Sequence, residues 1–170
     1  MYSPRFLFTL IIAFLKESKS IFIPFTLILF EPSTLFLKYV SKAFIVVNNS
    51  GKVEAVNMFT FKSEGTCTGL SYPRYVVNRN ENEIFVSNGS SDGNDYVYVV
   101  NKLSMQKTDS VATGLGPNTM VVSNGKLFVA NSGGWGTDKT VTVIDTKTLK
   151  VEKTITVGDN PYDMDVDAQG

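Results

Sequence analysis

Tyr72, Arg74 and Tyr75 flank Pro73 in one short stretch, and Trp135, the chain's one tryptophan, stands between glycines in Gly133-Gly134-Trp135-Gly136. Two more prolines open comparable stretches, Pro117-Asn118-Thr119 and Pro161-Tyr162-Asp163. Aromatic rings and guanidinium groups dominate binding hot spots, because they bring large contact area at small entropic cost. Tyr72, Arg74, Tyr75, Asn118, Thr119, Trp135, Tyr162 and Asp163 are therefore candidate ligand-binding residues. The competing reading is architectural: prolines and glycines set turn geometry while the rings pack against a neighbouring element.

The same inventory argues against catalysis. The chain has no histidine, which removes the commonest general base, the commonest metal ligand and most nucleophile-activating pairs. Its lone cysteine, Cys67, allows no internal disulfide and no cysteine zinc cage, and its setting in Gly65-Thr66-Cys67-Thr68 reads as a packed structural thiol. Asp159, Asp163, Asp165 and Asp167 would place three carboxylates on one strand face, yet they lack the spacing of a calcium loop. Ser91-Asp92-Gly93-Asn94-Asp95 reads as a turn. No glycine-rich phosphate loop or exposed-serine elbow is present. The expectation is a non-enzyme without metal or cofactor. Sixteen basic residues balance sixteen acidic ones, so nothing draws the chain toward nucleic acid.

The segments that must position these residues repeat. Pro73, Pro117 and Pro161 are 44 and 44 residues apart, and so are Asn57, Asn101 and Asp145. Asn48, Asn88 and Asn131 are 40 and 43 apart, and the steps from them to the next anchors are 9, 13 and 14 residues. Length variation thus falls in one loop per unit, the pattern of a fixed scaffold with a variable binding rim. Each unit reads as four short strands: Val, Ile, Thr and Phe dominate, Val141-Thr142-Val143 alternates with period two, and Asn124-Gly125 is a strong hairpin signal. Recurrent Asn48, Asn88 and Asn131 are expected to bond loop backbone.

The predicted architecture is all-β: a partial β-propeller of about three four-stranded antiparallel blades at residues 34–70, 73–114 and 117–158, with a further blade starting at 161–167. The innermost strand of the first blade is placed at 35–40. An apolar segment, 1–33, precedes it, with runs at 6–15 and 21–30 too short to span a membrane and any helix confined there. An export signal, a gene-model artefact and a membrane-associated hairpin are the three readings of that segment. Three blades cannot close a ring, so the remaining blades are expected outside this sequence.

Phe128-Val129-Ala130-Asn131, Val141-Thr142-Val143-Ile144-Asp145, Thr154-Ile155-Thr156-Val157-Gly158 and Asn160-Pro161 resemble the YVTN-type β-propeller repeat of bacterial surface-layer-like proteins. Ile45-Val46-Val47-Asn48-Asn49-Ser50-Gly51-Lys52-Val53 is similar to a subgroup from Bacteroidetes. The resemblance covers residues 34–170 and implies an exported, cell-surface or periplasmic propeller whose relatives include surface proteins that capture cobalamin. Its partner would be a small molecule, a glycan or an outer-membrane protein. Family members carry more blades and a lipoprotein signal ending in cysteine, whereas this chain has no cysteine before Cys67. In such a blade, the loop into the innermost strand and the loop between the second and third strands emerge on one rim, which would gather Tyr72, Arg74, Tyr75 and Trp135. The alternative is part of an enzyme-type propeller, a lyase or quinoprotein-like subunit, with its reactive residues on other blades.

Overall fold

A computed structural model of the chain describes residues 42–167, which form eleven strands, one short 3-10 turn at Asn48–Ser50 and no α-helix. The strands make three antiparallel sheets, one per repeat unit. The first sheet holds β1 (Lys42–Val47), β2 (Lys52–Asn57) and β3 (Ser63–Cys67). The second holds β4 (Tyr72–Asn78), β5 (Glu83–Gly89), β6 (Tyr96–Asn101) and β7 (Lys107–Ala112). The third holds β8 (Pro117–Ser123), β9 (Lys126–Asn131), β10 (Thr140–Asp145) and β11 (Val151–Thr156). In every sheet the strands lie in sequence order.

The second and third sheets are the four-stranded blades that the repeat predicts. The first shows three strands, because its expected innermost strand at 35–40 lies outside the described residues, as do segment 1–33 and its apolar runs. The expected start of another blade at 161–167 forms no strand. A strand needs a ladder partner, and no sheet among the described residues includes this segment. Asp163 and Asp165 instead accept hydrogen bonds from the N–H groups of Met164 and Val166.

Burial explains the sequence pattern strand by strand. In β2, Val53, Ala55 and Asn57 are buried while Lys52, Glu54 and Val56 are partly exposed, the alternation of a sheet covered on one face. In β5, Ile84, Phe85 and Val86 are all buried, so alternation vanishes. Ile84 and Val86 pack with Val53, Ala55 and Cys67 of the first blade, whereas Phe85 packs with Met120, Leu127 and Val129 of the third. The middle blade is covered on both faces. The last strands, β7 and β11, are mostly exposed and polar.

The 44-residue anchors build the same turn three times. Asn57, Asn101 and Asp145 each accept with Oδ1 from two backbone N–H groups: Phe59 and Thr60, Leu103 and Ser104, Lys147 and Thr148. Each turn then places a non-glycine residue at positive φ, Phe61 at 55°, Met105 at 54° and Leu149 at 57°. That conformation costs roughly 1–2 kcal/mol for a residue with a Cβ. Its return is a side chain delivered onto the preceding blade. Met105 enters the core between the first and second blades, and a Cβ on Gly65 would lie 2.9 Å from its Cγ. Leu149 packs between the second and third blades. Phe61 has no blade before it among the described residues and is 81% exposed.

Two predictions follow from these turns. Met105→Ala should cost about 2–5 kcal/mol by chemical denaturation, while Phe61→Ala, at the equivalent position, should cost under about 1 kcal/mol. Asp145 is the one acid among the three anchors. The hydrogen bond from the Thr148 N–H, followed by the Lys126 ammonium at 2.9 Å, holds its carboxyl well below the usual carboxylate range. A depressed native pKa gives stability that is full above the unfolded value of about 4 and is lost as pH falls through the native value. Asp145→Asn keeps the acceptor that Asn57 and Asn101 use and removes the charge. Its stability deficit relative to the unsubstituted chain should shrink between about pH 5 and about pH 2, as read by thermal unfolding. A constant difference would refute this origin.

Candidate functional site

The loops around the candidate residues are stitched to one another by backbone groups. Ser132 N donates to Gly116 O at 3.0 Å and Gly133 N to Leu115 O at 2.8 Å, which fixes the loop between β9 and β10 against the loop entering β8. Leu70 N donates to Gly51 O at 3.1 Å, joining the loop between β1 and β2 to the loop entering β4, the first strand of the next blade. The loop entering each first strand therefore does share a rim with the loop between the second and third strands. Glycine is required where they meet. Gly116 sits at φ 60°, and a Cβ there would fall 2.1 Å from Gly134 N.

Two carboxylates that sequence reasoning did not single out for this task lock the rim. Asp95 accepts from Ser90 N at 2.6 Å and Gly116 N at 2.8 Å. Asp138 accepts from Leu115 N at 2.8 Å and from Lys139 and Thr140. Both stand just before a strand, Asp95 before β6 and Asp138 before β10. That shared position is the signal that could have found them. Ser91-Asp92-Gly93-Asn94-Asp95 is the turn expected of it, with Gly93 at φ 78°.

On this frame the structure brings together two residues 63 apart in sequence. Trp135 is 79% exposed, and the ring of Tyr72 meets it edge-on at 6.0 Å with an interplanar angle of 83°. Such T-shaped pairs are attractive beyond their buried area by about 0.5–1.5 kcal/mol. The tip is shaped by Gly133 at φ 82° and Gly134 at φ 58°, with Gly136 N bonded to Gly133 O. The indole thus stays largely exposed beside a ring set nearly perpendicular to it.

Arg74 and Asn118 occupy equivalent places. The register of β4 against β5 shifts between Pro73 and Tyr75, and that of β8 against β9 between Pro117 and Met120. Each residue lies in a bulge, a device that re-aims a side chain out of the ladder. Arg74 Nε and Asn118 Nδ2 are buried without a hydrogen-bond partner. Thr119 is buried and donates from Oγ1 to Tyr162 O at 2.7 Å, which holds the 161–163 segment beside β8. Tyr162 is exposed and Tyr75 partly so, and Tyr75 N donates to Ser87 Oγ at 3.0 Å. Asp163 is exposed and bonds no other candidate.

Other sequence expectations resolve with these. Asp163, Asp165 and Asp167 do not share a strand face, since no strand forms there, and among the described residues no cluster of three potential ligands could hold a metal. Cys67 is buried, and burial pushes its thiol up against a smaller opposing pull from Lys107, the setting of a structural thiol. Asn48 donates to Pro73 O and Asn88 accepts from Ser71 N, the backbone bonds expected of them. Asn131 departs from that pattern and donates to the hydroxyls of Thr140 and Thr142, because Asp138 has taken over the loop N–H groups nearby. The opposite rim carries a shallow depression lined by Asn80, Glu81, Asn82, Glu83 and Asn101. Its polar groups are already engaged: Asn80 and Asn101 accept from turn N–H groups, and Glu83 pairs with Arg79.

No family model matches the chain, and no curated protein matches it by sequence. Solved structures do. Hydrazine synthase from Kuenenia stuttgartiensis aligns over 70% of this chain with a TM-score of 0.62 at 25% identity. BamB from Moraxella catarrhalis aligns over 66% with a TM-score of 0.50 at 14% identity. Dihydro-heme d1 dehydrogenase NirN aligns over 68% with a TM-score of 0.52 at 9% identity. The chain spans only a quarter to a third of these proteins' lengths, 33%, 33% and 25% respectively. These neighbours are propeller proteins of differing function, so what they share with this chain is architecture. The chain is an all-β, partial β-propeller.

Proposed function

We propose that this chain is a non-catalytic binding module of the YVTN-type, surface-layer-like kind, exported to the cell surface or periplasm. It holds a small molecule, a glycan or an outer-membrane protein on the rim that carries Tyr72 and Trp135. One observation carries the reading: an exposed indole is held at a fixed angle by a tyrosine from another blade, on loops locked by Asp95, Asp138 and the glycine contact. An exposed indole on a fixed frame offers a partner large contact area at small entropic cost. The loop bearing it is also the one whose length varies between units. Cobalamin and surface glycans, the ligands that the family resemblance implies, offer flat rings or sugar faces suited to an indole. The reading as part of an enzyme-type propeller draws on the likeness to hydrazine synthase and NirN. The absence of histidine from the whole sequence weighs against it.

The test is calorimetry with cobalamin and a panel of neutral and acidic oligosaccharides. Trp135→Ala and Tyr75→Ala should each cost about 1–3 kcal/mol of affinity for whichever probe binds. Lys147→Ala, on the opposite rim, should leave it unchanged. Equal affinity in all three variants, or loss only in the Lys147 variant, would move the site elsewhere.

A further inference from the structure

The aromatic pair accounts for stacking and leaves two features of the rim unexplained. Arg74 and Asn118 stand at the same place in successive units, each just after a proline and each in a bulge. The first strands that carry them, β4 and β8, lie side by side. Both have a buried donor with nothing to donate to, Arg74 Nε and Asn118 Nδ2, and Asn118 is only 7% exposed. A buried donor left unpaired is costly, and more so when charged. Two such costs at equivalent positions of a repeat are a recurrent property of the inner strand, and both groups ask for an acceptor.

Among the described residues neither group has one. Asp95 is the carboxylate beside Arg74, for a Cβ built on Gly89 would lie 3.7 Å from Asp95 Oδ1 and 4.0 Å from Arg74 Nε. Its two oxygens are committed to Ser90 N and Gly116 N, and it forms no ion pair with Arg74 among the described residues. Arg74 as a whole is only partly buried, so part of the residue meets solvent.

Resting on the reading of this rim as a binding site, we propose that Arg74 and Asn118 receive the carboxylate of an acidic sugar whose ring stacks on Trp135. A guanidinium fork matches the planar, two-oxygen geometry of a carboxylate, and the amide adds a donor without adding charge. Arg74 follows Tyr72 by two residues along β4, which sets the charged and the aromatic contacts at one end of one strand. The specificity lies in the unmet donors: a neutral sugar leaves them unpaired, whereas the acid satisfies them.

Calorimetry of the full chain with digalacturonate, its neutral counterpart galactobiose and inorganic phosphate tests this. The unsubstituted chain should prefer digalacturonate. Arg74→Met and Asn118→Asp should each weaken digalacturonate about tenfold or more and galactobiose far less. Arg74→Lys should recover part of the loss, and if Asn118→Asp unfolds, the two Arg74 variants decide alone. Unchanged digalacturonate affinity in the Arg74 variants, or equal weakening of both sugars, would overturn the inference, as would displacement of digalacturonate by phosphate at equal concentration. If digalacturonate does not bind but Trp135→Ala abolishes binding of galactobiose or cobalamin, the rim reading survives and this inference falls. If Trp135→Ala alters no affinity, the rim reading itself falls.

Discussion

Everything described here depends on sheets burying their faces against one another. A single four-stranded sheet of this size has no interior of its own. The middle blade acquires one twice, sending Ile84 and Val86 to one side and Phe85, Val97 and Val99 to the other. At ~1.5–3 kcal/mol for each fully buried large apolar side chain, these contacts are the main favourable term available to the fold. They also hold β4 beside β8, and with them the loops of the rim. The binding surface is thus an outcome of face packing, since its residues come from loops of different blades.

The sequence was legible where a physical requirement recurs with the period of the unit. Strand-sized runs of Val, Ile and Phe, and prolines and acid-or-amide anchors at constant spacing, were enough to place both complete blades and to put Tyr72 and Trp135 on one rim. The strands came out within a few residues of their expected places because each unit states its boundaries again. Asn124-Gly125 is a local case: both residues sit at positive φ, 48° and 75°, as a tight hairpin demands.

What was not legible depended on partners that spacing does not encode. The segment after Pro161 reads as a strand, but strand structure is a property of a pair, and the second member is missing among the described residues. Asn131 repeats Asn48 and Asn88 in sequence, yet Asp138 in the longer loop displaced it from the backbone bond. Neither the locking role of Asp95 and Asp138 nor the orphaned state of Arg74 Nε shows in composition, because each depends on which loops meet. The roles of Phe61, Met105 and Leu149 were hidden for a subtler reason. They share a backbone conformation rather than a residue type.

That shared position gives the fold a polarity. Among the described residues the second and third blades each project a left-handed turn residue toward the blade before, and the middle blade receives one on its other face. The two faces of a blade are therefore different surfaces, one carrying a knob and the other a socket, as Met105 and Gly65 show. Contacts of this kind are heterologous, so two identical knob faces or two identical socket faces cannot reproduce them by a twofold rotation. Units can be added to such an array only head to tail. The polarity of assembly is thus written into one residue per blade, on the rim opposite the one where ligands are expected.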